Sequence, residues 1–190
     1  MDGFYSPEEL KEFGFKHVGN NVLISKKASI YGAKNMSFGD NVRIDDFCML
    51  VGSITLGSNI HIAAFCGLHA SCGSIFVDDY STFSSNVTVY AASDDYSGEY
   101  MTSSVIPEKY KNTIKSDITV GKYVIVGTGC SILVGATIAD GVAVGAMSLV
   151  QCELQEWGIY AGIPCKRIKE RSKKLIELKK EFEEENLSID

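Results

Sequence analysis

The chain has 190 residues, 45% apolar and 22% charged, with 18 glycines and only 3 prolines. That is material for one globular domain with a real core, and it excludes collagen and intrinsic disorder. The net charge of −6 speaks against nucleic acid as a partner. No run approaches the roughly 20 apolar residues of a membrane helix, and the first twenty residues carry acids where a signal peptide is apolar. A soluble, unprocessed protein without a membrane span is expected.

At the N-terminus, Ser6 is followed by Pro7, Glu8 and Glu9. A capping residue, a proline at the first helical position and a capping-box acid predict a short helix over 6–14. A period of six then takes over. Aliphatic or aromatic residues recur at Val18, Ile24 and Ile30, then at Phe38, Ile44, Leu50, Leu56, Ile62 and Leu68. After a slip of three residues the series continues at Val77, Phe83 and Val89, and later at Val120, Val126, Ile132, Ile138, Val144 and Val150. Smaller partners sit four positions after many of these, among them Cys48, Cys66, Cys72, Cys130, Ala136 and Ser148.

A helix repeats near 3.6 and a strand near 2, so a sustained six fits neither. It suits a short strand plus a corner, repeated as one side of a three-sided coil, with apolar residue and small partner pointing inward. The eighteen landings just named predict an all-β parallel β-helix of about six triangular turns over 17–89 and 118–152. Four cysteines fall in the small inward slot. None forms a CxxC pair, so the six read as reduced hydrophobes of a cytoplasmic protein rather than a disulfide or zinc framework.

The rhythm stops over 90–117, a stretch with Tyr90, Tyr96, Tyr100 and Tyr110 and the acids Asp94, Asp95 and Glu99. A long aperiodic insertion rich in aromatics predicts a structured projecting site loop. After the coil, a tail strand over 153–165 leads to an amphipathic pattern with Ile168, Leu175, Ile176, Leu178 and Phe182, which predicts a C-terminal helix over 166–186. Between Arg43 and Lys109 there is no Lys or Arg, whereas Lys166, Arg167, Lys169, Arg171, Lys173, Lys174, Lys179 and Lys180 crowd the C-terminal region. That cluster is either a phosphate site or a solvated face.

Three features together resemble the hexapeptide-repeat sugar acetyltransferases, a left-handed β-helix family that includes galactoside and maltose O-acetyltransferases. They are the six-residue ladder, the single excursion after NVTVY (Asn86 to Tyr90), and the tail VGAMSLV…GIYAGIPCKRIKE (Val144 to Glu170). The resemblance covers roughly residues 18–171. It implies a left-handed coil, a homotrimer, active sites in clefts between subunits, and acetyl-CoA lying along the C-terminal coils. It also implies a loop histidine that takes the proton of a sugar hydroxyl as the hydroxyl attacks the thioester. At that position this chain has Ser93-Asp94, and its histidines, His17, His61 and His69, all lie outside the loop.

Three explanations stay open. Asp94 serves as the base if burial or Asp95 lifts its pKa; His69 reaches the cleft from a coil corner; or the acceptor is an amine, for which a strong base matters less. Asp95, Tyr96 and Glu99 suit a sugar, since carboxylates accept from hydroxyl or ammonium groups and rings stack on sugars. Gly127 and Gly145 leave room for a pantetheine arm beside backbone donors. The resemblance adds Thr128 and Ala146 as lining of the same groove and Lys166, Arg167 and Lys169 as partners of the nucleotide phosphates.

The function expected is acetyl transfer from acetyl-CoA to a sugar hydroxyl of a saccharide or nucleotide-linked sugar, in surface polysaccharide synthesis. The alternatives are N-acetylation of a nucleotide-linked amino sugar and a non-catalytic β-helix assembly module. No metal is expected, because His17, His61 and His69 lack the spacing of a three-histidine centre.

Overall fold

The computed structural model describes residues 3–187. Short parallel strands wind into a three-sided prism. The first face stacks His17–Val18, Met36–Phe38, the second halves of Met49–Leu56 and Gly67–Val77, then Ile118–Val120, Thr137–Ile138 and Glu153–Leu154. The second face runs from Leu23–Ile24 through Val42–Ile44, Ile60–Ile62, Thr82–Phe83, Ile125–Val126 and Ala143–Val144 to Gly158–Gly162. The third carries Ser29–Tyr31, the first halves of the two long strands, Thr88–Tyr90, Ser131–Ile132 and Leu149–Val150. The about six turns expected are six complete ones, and a seventh has two sides. Leu154 and Tyr160 escape the sequence count because four rather than six residues separate Val150 from Leu154.

The six-residue ladder is the core. Phe38, Ile44, Leu50, Ile62, Leu68, Phe83, Val89, Val120, Ile132 and Ile138 are all fully buried, as are the small partners Cys130 and Ala136. Each fully buried aliphatic contributes about 1.5–3 kcal/mol before chain entropy is counted. Three polar side chains are also buried and bonded: the Ser81 hydroxyl donates to the Gly121 carbonyl at 2.8 Å, and Ser148 to that of Gly145 at 2.6 Å. Ser25 donates to Asp46.

Corners turn through residues in the left-handed region. Between the first and second faces these are Asn21, Asn41, Asn59, Tyr80, Tyr123, Gly141 and Trp157; between the second and third they are Phe47, Phe65, Asn86, Gly129 and Met147. Asparagine and glycine tolerate that conformation best. At the first corner the asparagines form a side-chain ladder, Asn21 to Asn41 at 2.9 Å and Asn41 to Asn59 at 3.1 Å. Tyr80 then stacks on Tyr123, and Trp157 packs over Gly141, where a Cβ would fall 2.5 Å from the indole.

The N-terminal helix is Pro7–Glu12, with Ser6 and Glu9 closing the capping box. Two expectations are corrected. Cys72 is exposed, not inward: Gly52 pairs with Ala70 and Ser53 with Ser74, so residues 71–73 bulge out and Ile75 fills the slot beside Ile54. That bulge is the slip of three in the ladder. The stretch 166–170 is not helical. Cys165–Glu170 is a strand antiparallel to Gly158–Gly162, and the helix is Leu175–Leu187. Its Glu183 accepts a 2.6 Å hydrogen bond from the Tyr80 hydroxyl, docking the helix on the first corner. No helix among the described residues is long and apolar enough to cross a membrane.

Candidate active site

The projecting loop leaves the prism between its fourth and fifth turns, after Thr88–Tyr90 and before Ile118–Val120. It is structured, as expected: Ala92–Ser93 pairs antiparallel with Ile114–Lys115, Met101 bridges Lys111, and Glu108–Tyr110 form a 3-10 turn. Its base rests on the 71–73 bulge, where a Cβ on Gly73 would meet the carbonyls of Ala91 and Ser116 at 2.9 Å. Bulge and hairpin enclose a cleft of about 270 Å³ lined by Cys72, Ser93, Asp94, Glu108, Lys111 and Lys115 among others.

Asp94 is exposed and accepts a 3.1 Å hydrogen bond from the Ser103 N–H. Asp95 turns elsewhere. Its carboxylate accepts from the Ser97 hydroxyl at 2.8 Å and the Gly98 N–H at 3.0 Å, and the Ser97 bond holds its pKa below the ordinary value. Neither condition set for Asp94 as a base, burial or Asp95 facing it, is therefore met within one chain. Tyr96 is 94% exposed and Glu99 is exposed. Lys111, missed in the sequence, is the buried cation of the loop: 8% of its side chain is exposed and it pairs with Glu108 at 2.8 Å.

His69 lies on the outer side of the third face, in register with Val51 and Tyr90. Its ring stacks on Tyr90, and a Cβ on Gly67 would come within 2.6 Å of its Nε2. Half-burial lowers its pKa and so favours the neutral imidazole. Among the described residues neither ring nitrogen has a hydrogen-bond partner. His61, by contrast, is held: its Nε2 lies 2.7 Å from Asp45, which also takes Arg43 at 2.7 Å. Burial alone would raise the Asp45 carboxyl, but those two hydrogen bonds outweigh it and the pKa lies below the ordinary value. No three His, Cys, Asp or Glu among the described residues gather as a metal site.

On the edge between second and third faces, each left-handed residue donates its N–H to the coil before: Asn86 to Ala64, Gly129 to Ser85, Met147 to Thr128. The N–H groups of Ala64, Ser85, Thr128 and Ala146 have no partner among the described residues, which leaves a row of backbone donors along that edge. Gly127 and Gly145 do not supply donors. Their N–H groups bond the carbonyls of Val144 at 2.8 Å and Tyr160 at 2.7 Å. Gly127 is required by stacking instead, since a Cβ there would sit 2.5 Å from the Ala146 nitrogen. The Thr128 hydroxyl donates to the Ser85 carbonyl at 2.7 Å.

The tail strand presents Lys166 and Lys169 exposed and without partners among the described residues. Arg167 is engaged, with Glu170 at 2.7 Å and the Tyr160 hydroxyl at 3.4 Å. Arg171, read in the sequence as part of the C-terminal cation cluster, instead reaches the carbonyls of Tyr123, Gly141 and Val142 at 2.6 to 3.3 Å and pins the tail to the first corner. The loop thus leaves one edge of the prism while the donor row runs along another, with His69 and Tyr90 on the face between them.

No protein-family model matches the chain. It is 44% identical over 177 residues to the dTDP-4-amino-4,6-dideoxy-D-glucose acyltransferase of Escherichia coli, covering 92% of each chain. It is 26% identical over 167 residues to the galactoside O-acetyltransferase of Escherichia coli K12, covering 84% of this chain and 74% of that one. The crystal structure of AntD, an N-acyltransferase from Bacillus cereus in complex with dTDP and 3-hydroxybutyryl-CoA, is 48% identical with a TM-score of 0.94, covering 97% of this chain and 98% of that one. With a left-handed β-helix, a single projecting loop and that full-length likeness, the chain belongs to the hexapeptide-repeat acyltransferases.

Proposed function

We propose that this acyltransferase moves the acyl group of an acyl-CoA onto the amino group of a dTDP-linked 4-amino-4,6-dideoxyhexose. The observation that carries this reading is the full-length likeness to two enzymes whose names specify an amino sugar or N-acyl transfer. The loop supports it. A hydroxyl acceptor needs a strong base, and the loop holds none that is buried or paired for that task. A neutral amine is already nucleophilic. Its nitrogen attacks the thioester carbonyl, the C–N bond forms, the C–S bond breaks, and CoA leaves as the thiol after taking up the proton shed by the amine. The amine therefore replaces the sugar hydroxyl as the acceptor expected from the sequence.

Each residue takes a role in this proposal that its position supports. Asp94 accepts a hydrogen bond from the amine and orients it, and the neutral His69 relays the proton. Thr128 and Ala146 offer their unpaired N–H groups to the pantetheine arm, while Lys166 and Lys169 meet the nucleotide phosphates. Asp95 shapes the loop, and Tyr96 and Glu99 extend from it toward a second copy. Because loop and donor row occupy different edges of one prism, a homotrimer in which the loop of one copy faces the donor row of the next completes the site. The product, an N-acylated nucleotide-linked sugar, is a glycosyl donor for a cytoplasmic glycosyltransferase in surface polysaccharide assembly.

The product's chemistry tests the reading. An acceptor bearing both hydroxyl and amino groups should give an amide that survives neutral hydroxylamine; an acyl group released by that reagent would be an ester and would refute amine transfer.

A further inference from the structure

Phe47 and Phe65 occupy equivalent positions on the second and third turns, on the edge that carries the donor row. Their rings stack at 5.0 Å with planes 22° apart, yet they are 53% and 56% exposed. Both hold φ near 60°, a conformation that disfavours bulky side chains and that the same edge fills with Asn86, Gly129 and Met147 further on. At the opposite corner a similar pair, Tyr80 and Tyr123, is covered by the C-terminal helix. Apart from the Lys27 ammonium over the Phe47 ring, nothing among the described residues covers Phe47 and Phe65. Strain and exposed apolar area coincide on two successive turns.

The charges around the pair are matched. Lys27 lies over the Phe47 ring at 5.4 Å and pairs with Asp46 at 2.7 Å; Lys26 pairs with Glu9 and Arg43 with Asp45. A diphosphate seeks unpaired cations, so what this edge offers is a flat apolar surface for a neutral planar group. Coils stack at about 4.8 Å, which puts Phe65 on the third turn about 10 Å along the edge from Thr128 on the fifth. In the function proposed above the acyl donor runs from Thr128 toward the tail, which leaves the other direction for the acceptor.

We propose that the Phe47–Phe65 stack is the platform on which the pyrimidine base of the nucleotide-linked acceptor lies. This rests on the function proposed above and adds the residues that read the nucleotide half of the substrate. Base–aromatic stacking is worth enough that losing one ring face should weaken binding roughly tenfold.

Calorimetric titration of dTDP and, separately, CoA into wild type, Phe65→Ala, Phe65→Leu and Phe65→Tyr tests it, with the mass of the assembly measured by light scattering. The Ala and Leu variants should bind dTDP about tenfold more weakly, Tyr should match wild type, and CoA affinity and mass should not move. Unchanged dTDP binding in the Ala and Leu variants overturns the platform, as does a loss of CoA binding in its place, which would assign the rings to the adenine. A changed mass also overturns it and makes the stack a subunit contact. Wild type that fails to bind dTDP refutes the proposed acceptor itself, an outcome read without any variant.

Discussion

The imidazole of His69 lies flat against the ring of Tyr90, with centroids 4.7 Å apart and planes 10° from parallel. The two are neighbours in register on adjacent turns, so the coil itself sets the contact, and the partial burial it brings lowers the His69 pKa. Tyr90→Ala should raise that pKa toward the ordinary value near 6.5, read by NMR titration of the ring proton.

The sign of the stability effect follows. With a folded pKa below the unfolded one, His69 contributes its full share above about pH 6.5 and loses it as pH falls toward the folded value. Wild type should therefore lose more in Tm between pH 7.5 and 5.5 than His69→Phe, which keeps a stacked ring without a proton to bind. Equal losses would show that His69 titrates alike in both states.

Asp94→Asn keeps the shape of the loop base but removes the charge that orients the acceptor amine. Turnover should fall at least about tenfold with the acyl-CoA KM held. Wild-type turnover in this variant would remove Asp94 from the mechanism.

Replacing Lys166 and Lys169 together by Glu should raise the acyl-CoA KM, because both ammonium groups are exposed and unpartnered within the described chain. Arg167→Ala should change it much less, since that guanidinium already serves Glu170 and Tyr160. Steady-state kinetics separates the two, and a larger effect from Arg167 would reverse the assignment.

The bulge at 71–73 makes Cys72 and Cys130 unequal although the hexad treats them alike. Cys72→Asp should fold with nearly wild-type Tm, whereas Cys130→Asp places a charge inside the prism and should abolish folding, as circular dichroism will show. Ile138→Ala, which empties part of the ladder, should cost about 2–5 kcal/mol in chemical denaturation.

The coil was legible because its core is written once every six residues, and Ile44, Ile132 or Ile138 each announce their burial by spacing alone. Cys72 was misread because a slip of three in the ladder does not say which residues leave it; the pairing of Gly52 with Ala70 does. The strand 165–170 was mistaken for helix because exposed Lys166, Arg167 and Lys169 around Ile168 carry no period that distinguishes the two. The site was less legible than the fold. Asp45 meets His61, sixteen residues on, only because adjacent turns stack Arg43 beside His61, and the donors of Thr128 and Ala146 are backbone groups that leave no side-chain signature. The missing loop histidine was the sequence signal that left an amine acceptor open, beside Asp94 and His69 as alternative bases.

The most direct measurement is thiol release from acyl-CoA with a dTDP-linked 4-amino-4,6-dideoxyhexose set beside the corresponding 4-hydroxy sugar. Release with the amino sugar and none above background with the hydroxy sugar is the expected result. Release with the hydroxy sugar alone would contradict the account.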